Sequence, residues 1–125
     1  MVIYGETGLG KTHLAQALGN CIVRRNKNAR VLYTTSERFT IEYVNAIQNN
    51  KVNEFIYFYR SIDCLIVVDI QFFGGKEKTQ DNFFHTFNAL HQAGKQIVLT
   101  SDKAPKELRD VDERLISRFS WGLTA

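Results

Sequence analysis

Residues 5–12 read Gly-Glu-Thr-Gly-Leu-Gly-Lys-Thr, which fills the pattern G-x-x-x-x-G-K-[ST] of a phosphate-binding P-loop. Such a loop requires a strand before it and a helix after it, so this motif restricts the fold more than any other feature of the chain. Lys11 can reach the β- and γ-phosphates of a nucleoside triphosphate, and the Thr12 hydroxyl can coordinate Mg²⁺. Three glycines let the backbone direct N–H groups at phosphate oxygens, namely Gly5, Gly8 and Gly10.

The sequence on either side of the motif supplies the context that a P-loop needs. Residues 2–4 are a short β-prone run directly before the loop. After the loop, apolar residues recur at helical spacing, at Leu14, Ala17, Leu18, Cys21 and Ile22. The alternative interpretation is a glycine-rich turn that binds no ligand, and the strand–loop–helix context favours the nucleotide.

Apolar strands alternate with amphipathic helices along the chain, which predicts an α/β fold around a parallel sheet. Five strands are predicted, at about residues 1–4, 30–35, 63–69 and 95–101 and from about residue 121. Helices are predicted near residues 11–25, 36–49, 51–60, 77–93 and 112–119. The continuously apolar run at 64–68 is typical of a central strand covered on both faces, so we predict a three-layer sandwich that carries the P-loop.

Length and composition limit the organisation of the chain. Its 125 residues form one domain at most, and we expect residues 1–125 to be a nucleotide-binding core that is truncated at both ends. The absence of a membrane-spanning apolar run and of a signal peptide predicts a cytoplasmic protein. Cys21 and Cys64 lie in apolar stretches and are expected to be reduced core residues. A net charge of +3 permits contact with nucleic acid without requiring it.

A carboxylate is expected at the end of a neighbouring apolar strand, because P-loop NTPases organise Mg²⁺ there. The run at 65–69 has this pattern and ends in Asp69. Hydrolysis commonly uses a further group to orient water, but Ile70 cannot do so and Gln71 is two positions beyond Asp69. The residues alone therefore predict Asp69 as the Mg²⁺ ligand, with a strand-ending Asp of no metal role as the alternative.

Five stretches of the chain resemble the AAA+ domain of the DnaA family of bacterial replication initiators. They are GETGLGKTH at 5–13, SERF at 36–39, DIQFFGGKEKTQDNFFHTFNAL at 69–90, GKQIVLTSD at 94–102 and RLISRFSWGL at 114–123. The similarity runs without gaps over nearly the whole chain. His13 and the FFHTFNAL run are distinctive of this family among AAA+ proteins.

The resemblance implies a P-loop NTPase sandwich of the AAA+/ASCE class with a central parallel five-stranded sheet. It also implies that this core binds ATP or ADP with Mg²⁺ and assembles into a filament on origin DNA to promote strand opening. It adds His13 to the nucleotide-binding residues and assigns the polar sensor-1 region beside the γ-phosphate to Thr100 and Ser101. Arg118 matches the arginine finger, which reaches ATP on the next subunit of a homo-oligomer and suits the role because its planar fork always carries charge. Without the resemblance, a surface cation at Arg118 and a helix cap at Ser101 would be the favoured interpretations.

The resemblance also implies that several functions of the family belong to segments outside this chain. These are the α-helical lid subdomain, the recognition of double-stranded origin DNA and the contacts with other replication proteins. We therefore expect the lid subdomain to be absent from residues 1–125.

One position departs from the family pattern. The family has two acidic residues before Ile-Gln-Phe-Phe, whereas this chain has Val68 and Asp69. Aligned without gaps, Val68 takes the position that organises Mg²⁺, and Asp69 takes the position that activates water. The local interpretation instead makes Asp69 the Mg²⁺ ligand and leaves the base missing. Both predict an ATPase with impaired hydrolysis and better preserved nucleotide binding.

The resemblance further implies contact with single-stranded DNA at Val44 and Lys78, with Lys76 close by. A Lys would hold the phosphate backbone and an aliphatic group would pack on sugar or base. The alternatives are solvated lysines at a helix start and a valine in the core. The family usually has Arg at the position of Lys78, which predicts a weaker contact. Helical spacing assigns Phe83, Phe84, Phe87 and Leu90 to the core rather than to base stacking.

Two other functions remain open at this point. The first is a nucleotide-binding interaction module, similar to a regulator or a helicase loader, that has lost hydrolysis, and Val68 is its motivation. The second is a different P-loop enzyme such as a small-molecule kinase. The chain shows no lid and no second substrate site for a kinase, and the FFHTFNAL run favours the initiator family.

Overall fold

The computed structural model describes the backbone of residues 2–4 and 11–120 and the side chains of residues 16–120. The helices and strands are β1 (Val2–Tyr4), α1 (Lys11–Arg25), β2 (Val31–Thr35), α2 (Ser36–Gln48), α3 (Val52–Arg60), β3 (Cys64–Val68), α4 (Glu77–Gln92), β4 (Gln96–Ser101) and α5 (Glu113–Phe119). A 3₁₀ turn at Ile70–Phe73 follows β3, and another at Pro105–Glu107 follows β4. The predicted elements are confirmed to within one residue at each end, except that the fifth strand, from residue 121, lies outside the described residues.

The described strands form one parallel sheet in the order β1-β4-β3-β2. In the register of the sheet, Ile66 of β3 lies between Tyr33 of β2 and Val98 of β4. Because all these strands run in the same direction, their carboxyl ends meet at one edge of the sheet. In parallel α/β sheets this is the edge at which ligands bind.

Helices cover both faces of the sheet, so the predicted three-layer sandwich is confirmed. On one face, Leu18 and Ile22 of α1 pack against Cys64, Ile66 and Val98. On the other face, the alternate residues of β3 and β4 pack against α2, α3, α4 and α5; these strand residues are Leu65, Val67, Ile97 and Leu99. Every residue of β3 is buried as a result, which explains its continuously apolar sequence.

Helix α1 approaches the sheet closely at Gly19. A Cβ atom at this position would lie 2.8 Å from Cδ1 of Ile66, so a larger residue would push the helix or the isoleucine away. Cys21 lies on the part of α1 that does not pack against the sheet and is exposed, whereas Cys64 is buried. The expectation that both thiols lie in the core is therefore wrong for Cys21.

Aromatic rings fill the larger core around Phe39 of α2. Its ring makes edge-on contacts with four others at centroid distances of 5.1 to 5.9 Å, namely Phe55, Tyr59, Phe73 and Phe83. Phe83, Phe87 and Leu90 are buried as predicted. Phe84 is only half-buried, because it lies at the border of the core, and Phe72 is 48% exposed.

A buried glutamine joins the turn after β3 to the start of α5. The side-chain amide of Gln80 donates to the carbonyl of Phe73 at 2.6 Å and to that of Asp110 at 2.9 Å. Its oxygen accepts the N–H of Asp112 at 2.8 Å, and Asp112 in turn caps α5 by accepting the N–H of Arg114. Because Gln80 is only 3% exposed, these bonds fix α5 to the edge at which β3 ends.

None of the helices in the described part of the chain combines the length and the apolar character that a membrane crossing requires.

Candidate nucleotide site

The P-loop sequence follows β1 at the edge where the described strands end. Tyr4, the last residue of β1, is paired with Ser101, the last residue of β4. Lys11, Thr12 and His13 occupy the first turn of α1, and their side chains lie outside the described residues. The loop glycines also lie outside the described residues, namely Gly5, Gly8 and Gly10. The strand before the motif and the helix after it are thus in place.

Asp69 lies at this edge, directly after β3, in a left-handed backbone conformation with φ 62° and ψ 54°. Its N–H donates to Oγ1 of Thr100 at 3.0 Å, and its carbonyl accepts the hydroxyl of Ser36 at 2.6 Å. A left-handed conformation is uncommon for a residue with a side chain, although Asp tolerates it better than most. Two neighbouring elements therefore hold the backbone of Asp69 in a conformation that costs free energy by itself.

The two predicted sensor-1 residues are both fully buried at the end of β4. The Thr100 hydroxyl holds Asp69, as described above. Oγ of Ser101 accepts the N–H of Lys103 at 3.1 Å and so closes the turn that follows the strand. The structure brings Thr100 into direct contact with Asp69 and uses Ser101 to shape the adjacent turn.

Asp102 is a polar residue at this edge that the sequence did not single out as a candidate. Its Oδ1 is buried, and among the residues that the structure describes it has no hydrogen-bond partner. Its N–H donates to Oε1 of Gln71 at 3.3 Å, which joins the turn after β3 to the turn after β4. A buried carboxylate oxygen without a partner is costly unless a ligand or ion completes it. The signal that could have found Asp102 was its place directly after Thr100 and Ser101, at the end of a predicted strand.

Val68 is buried, with 6% of its surface exposed. Side chains alternate along a strand, and Cys64 and Ile66 face α1 whereas Leu65 and Val67 face the opposite layer. The alternation therefore places Val68 on the face that α1 covers. The side of the sheet on which the P-loop helix packs thus has an aliphatic residue at the end of β3.

Oxygen ligands are the type that Mg²⁺ prefers, and the carboxylates of Asp69 and Asp102 follow neighbouring strands at this edge. Within the described part of the chain, no group of three or more His, Cys, Asp or Glu residues is arranged to hold a metal ion. Mg²⁺ in nucleotide sites commonly takes only one or two carboxylates and completes its shell with phosphates and water. The donor set therefore fits Mg²⁺ bound together with a nucleotide rather than a metal cage made of protein alone.

Arg118 lies near the end of α5 and contacts α4. Its Nε donates to Oδ1 of Asn88 at 2.8 Å, and its Cζ lies 5.1 Å from the centroid of the Phe84 ring. Phe119 of the same helix packs against the rings of Phe83 and Phe87 on α4, and Leu115 is buried in the same core, so both residues anchor α5.

The predicted DNA-contact residues are exposed. Val44 of α2 is 40% exposed, and Ile41 and Ile47 on the same helix are also exposed, so the alternative of a core valine is wrong. Lys76 directly precedes α4 and Lys78 lies in its first turn, and both are exposed. Because α2 packs against α4 through the ring contact of Phe39 with Phe83, the exposed aliphatic residues of α2 lie on a helix adjacent to the one whose start carries the two lysines.

A parallel sheet with helices on both faces, a P-loop motif after its first strand and polar residues at its carboxyl edge define a P-loop NTPase domain. Over residues 1–125 the chain matches a family described as the bacterial DnaA ATPase domain, and it belongs to that family. A small-molecule kinase is therefore not the family of this chain.

Similar proteins agree with this assignment. The chain is 56% identical over 124 residues to the chromosomal replication initiator protein DnaA of Chlorobaculum tepidum, covering 99% of this chain and 25% of that protein. It superposes on domain III of the Thermotoga maritima replication initiation protein DnaA with a TM-score of 0.98 and 47% identity, covering 100% of this chain and 52% of that one. A replication initiator DnaA bound to AMPPCP and single-stranded DNA is 43% identical, with a TM-score of 0.94, and the match covers 100% of this chain and 39% of that one. The chain thus spans about a quarter of the length of the curated relative.

Proposed function

We propose that this chain is the ATP-binding AAA+ core of a DNA replication initiator, which assembles on origin DNA in an ATP-dependent way and promotes strand opening in the cytoplasm. The observation that carries the proposal is the arrangement at the carboxyl edge of the sheet, where Thr100 of β4 and Ser36 of α2 hold Asp69 at the end of β3. Of these strands, β4 pairs directly with β1, which precedes the P-loop. Support also comes from the relative that is bound to AMPPCP and single-stranded DNA.

The nucleotide would bind to the P-loop residues and to His13, with Mg²⁺ held by the Thr12 hydroxyl and the Asp69 carboxylate. When bound, Mg²⁺ neutralises the phosphate charge that develops during transfer of the γ-phosphoryl group to water. Asp69 cannot swing away from this edge, because hydrogen bonds fix both its N–H and its carbonyl. Its carboxylate would therefore start from a fixed backbone position when the nucleotide binds.

Hydrolysis would be slow in this chain because only one of the two strand-end positions is acidic. Val68, on the face that α1 covers, offers no oxygen to a metal or to a metal-bound water. Asp69 then either organises the metal or activates water, and one of these two tasks lacks a group. Slow turnover would lengthen the ATP-bound state, in which the protein assembles.

Assembly would place the Arg118 guanidinium of one subunit against the γ-phosphate on the next. A guanidinium binds a γ-phosphate well because it combines a permanent charge with several N–H donors. The ADP state lacks the γ-phosphate, so the same arginine would stabilise the ATP-bound assembly selectively.

Single-stranded DNA would run along the surface formed by α2 and the start of α4. Val44 and the neighbouring exposed Ile41 and Ile47 supply apolar contact for sugars and bases. Lys76 and Lys78 supply positive charge for phosphates. The phosphate contact at Lys78 would be weak, because Lys acts as a point charge where the family usually has Arg, whose planar fork can bind a phosphate through two N–H groups.

A second candidate function is a nucleotide-binding interaction module, similar to a regulator or helicase loader, that has lost hydrolysis. Val68 is the observation that favours it. Such a module would bind ATP without assembling on DNA, so DNA binding separates the two candidates.

The test measures binding of a fluorescent single-stranded oligonucleotide by anisotropy, with ATP and with ADP, over a range of salt concentrations. We expect binding with ATP only, and Lys78→Ala should reduce the salt slope by about 0.7, the value for one lost phosphate contact. Val44→Asp should weaken binding at all salt concentrations, whereas Lys106→Ala, at an exposed position after β4, is the matched control. Equal binding of all variants, or equal binding with ATP and ADP, would contradict the proposal.

A further inference from the structure

Two side chains of α4 hold the guanidinium of Arg118. Asn88 accepts its Nε–H at 2.8 Å, and the Phe84 ring lies 5.1 Å from its Cζ. Phe84 and Asn88 are four residues apart on α4, so they lie one above the other on the same face of the helix. The guanidinium therefore has an amide oxygen at its edge and an aromatic ring as a second contact, and both restrict its orientation.

The support beneath Arg118 is itself fixed. Phe84 packs against the main hydrophobic core, and the Cζ of Arg114 lies 4.5 Å from the centroid of the same ring. Arg114 in turn forms ion pairs with Asp81 at 3.2 Å and with Asp112 at 3.1 Å. Arg114 is thus held by ion pairs to α4 and to the cap of α5. Because it lies against the Phe84 ring, it limits the movement of that ring.

We propose that Asn88 and Phe84 are positioning residues, which orient Arg118 before a neighbouring subunit arrives. The inference rests on the proposed role of Arg118 in trans. A long flexible side chain loses rotamer freedom when it binds, and a side chain that is already oriented loses less.

The first test is ATP-dependent self-association of the full chain, measured by sedimentation for the wild type and for variants. We expect Asn88→Ala and Phe84→Leu each to weaken association about tenfold, because a hydrogen bond or ring contact to a charged group is lost. ATP affinity of the monomer should not change, since neither residue lies at the carboxyl edge of the sheet. Gln92→Ala is the matched control, because it removes an amide from the same helix one turn further on.

The second test separates positioning from a general loss of structure by mixing two defective subunits. Asn88→Ala subunits keep an intact P-loop, and Lys11→Ala subunits keep an intact Arg118 and its support. The mixture should form ATP-dependent pairs at concentrations at which neither variant associates alone, because one complete interface is possible only between unlike subunits. A merely destabilised Asn88→Ala protein would not regain association on mixing and would show a lower Tm.

The possible failures can be told apart. If Arg118→Ala associates like the wild type, the role in trans is wrong and the positioning inference fails with it. If Arg118→Ala abolishes association while Asn88→Ala and Phe84→Leu match the Gln92→Ala control, the role in trans stands and the positioning inference alone is overturned. If mixing restores nothing, Asn88 acts on folding rather than on Arg118.

Discussion

The hydroxyl oxygen of Thr100 accepts the backbone N–H of Asp69 at 3.0 Å, across the boundary between β4 and β3. Asp69 has already left the strand conformation at this point, with φ 62°, so the bond replaces a backbone pairing that the sheet no longer provides. The residue predicted to sense the γ-phosphate therefore also fixes the residue predicted to bind the metal or water. A change at either residue should affect both nucleotide handling and stability.

We predict that Thr100→Val lowers the free energy of unfolding by about 1–3 kcal/mol, because the Asp69 N–H loses its acceptor while the shape of the side chain is preserved. Chemical denaturation measures this, and Mg²⁺-dependent ATP affinity should fall in the same variant. Thr34→Val is the matched control, since Thr34 is equally buried on β2 and makes only a long 3.5 Å contact with its neighbour's carbonyl. Equal stability of the two variants would show that the Thr100 bond does not hold Asp69.

Gly74 brings the turn after β3 against the segment that leads to α5. A Cβ at this position would lie 2.8 Å from the carbonyl oxygen of Arg109, and a backbone atom cannot move aside as a side chain can. We therefore expect Gly74→Ala to cost about 1–3 kcal/mol of stability and to weaken ATP-dependent association by displacing α5.

Thermal unfolding and sedimentation test this prediction, with Gly75→Ala as the comparison. Gly75 has a positive φ of 77° and open space around it, so only backbone strain of about 1 kcal/mol is expected there and no effect on association. A Gly74→Ala protein that is as stable as the wild type would mean that the two segments are not in tight contact.

Asp63 links the segments that precede β2, β3 and β4, at the amino ends of these strands, opposite the nucleotide site. Its carboxylate accepts Nζ of Lys95 at 2.7 Å and the N–H of Arg30 at 2.9 Å. The hydrogen bond from Lys95, followed by that from Arg30, holds the pKa of Asp63 below its ordinary value of 3.8. A depressed pKa means that the carboxylate stabilises the fold above the unfolded pKa and that this contribution is lost as pH falls through the folded pKa.

We accordingly predict that Asp63→Asn is less stable than the wild type at neutral pH and that the difference disappears in acid. Urea unfolding at intervals from neutral pH to well below the ordinary Asp pKa of 3.8 would measure the convergence of the two proteins. A difference that stays constant with pH would show that the charge of Asp63 contributes nothing.

The two cysteines should react with thiol reagents at very different rates. Cys21 is exposed, whereas Cys64 is fully buried, and burial raises its pKa to about 11. Because the thiolate is the reactive form, we expect one thiol to be labelled quickly in the native protein and the second only on unfolding. Cys21→Ser should remove the fast phase, and a fast phase that persists in this variant would contradict the position of Cys64.

The sequence predicted the fold well because its signals were local and mutually consistent. The continuous apolar run of β3 required cover on both faces, and the helical spacing of Phe83, Phe87 and Leu90 required a core contact. Both are periodicity arguments, which depend only on neighbours along the chain.

The contacts within the candidate site were not predictable in the same way. Thr100 and Asp69 are 31 residues apart, and the support of Arg118 by Asn88 spans 30 residues. Such contacts depend on the register of the sheet and on how α5 packs, which no local pattern specifies. Asp102 was missed as a candidate for the same reason, because only the fold shows that its carboxylate oxygen is buried.

The role of Val68 is tested most directly by measuring ATP binding and turnover of the parent chain and of Val68→Asp, with and without Mg²⁺. We predict that the parent binds ATP and turns it over slowly, and that Val68→Asp raises turnover at least about tenfold by supplying the missing carboxylate at the end of β3. Equal turnover of the two proteins would contradict this prediction, because Asp69 would then suffice for both tasks.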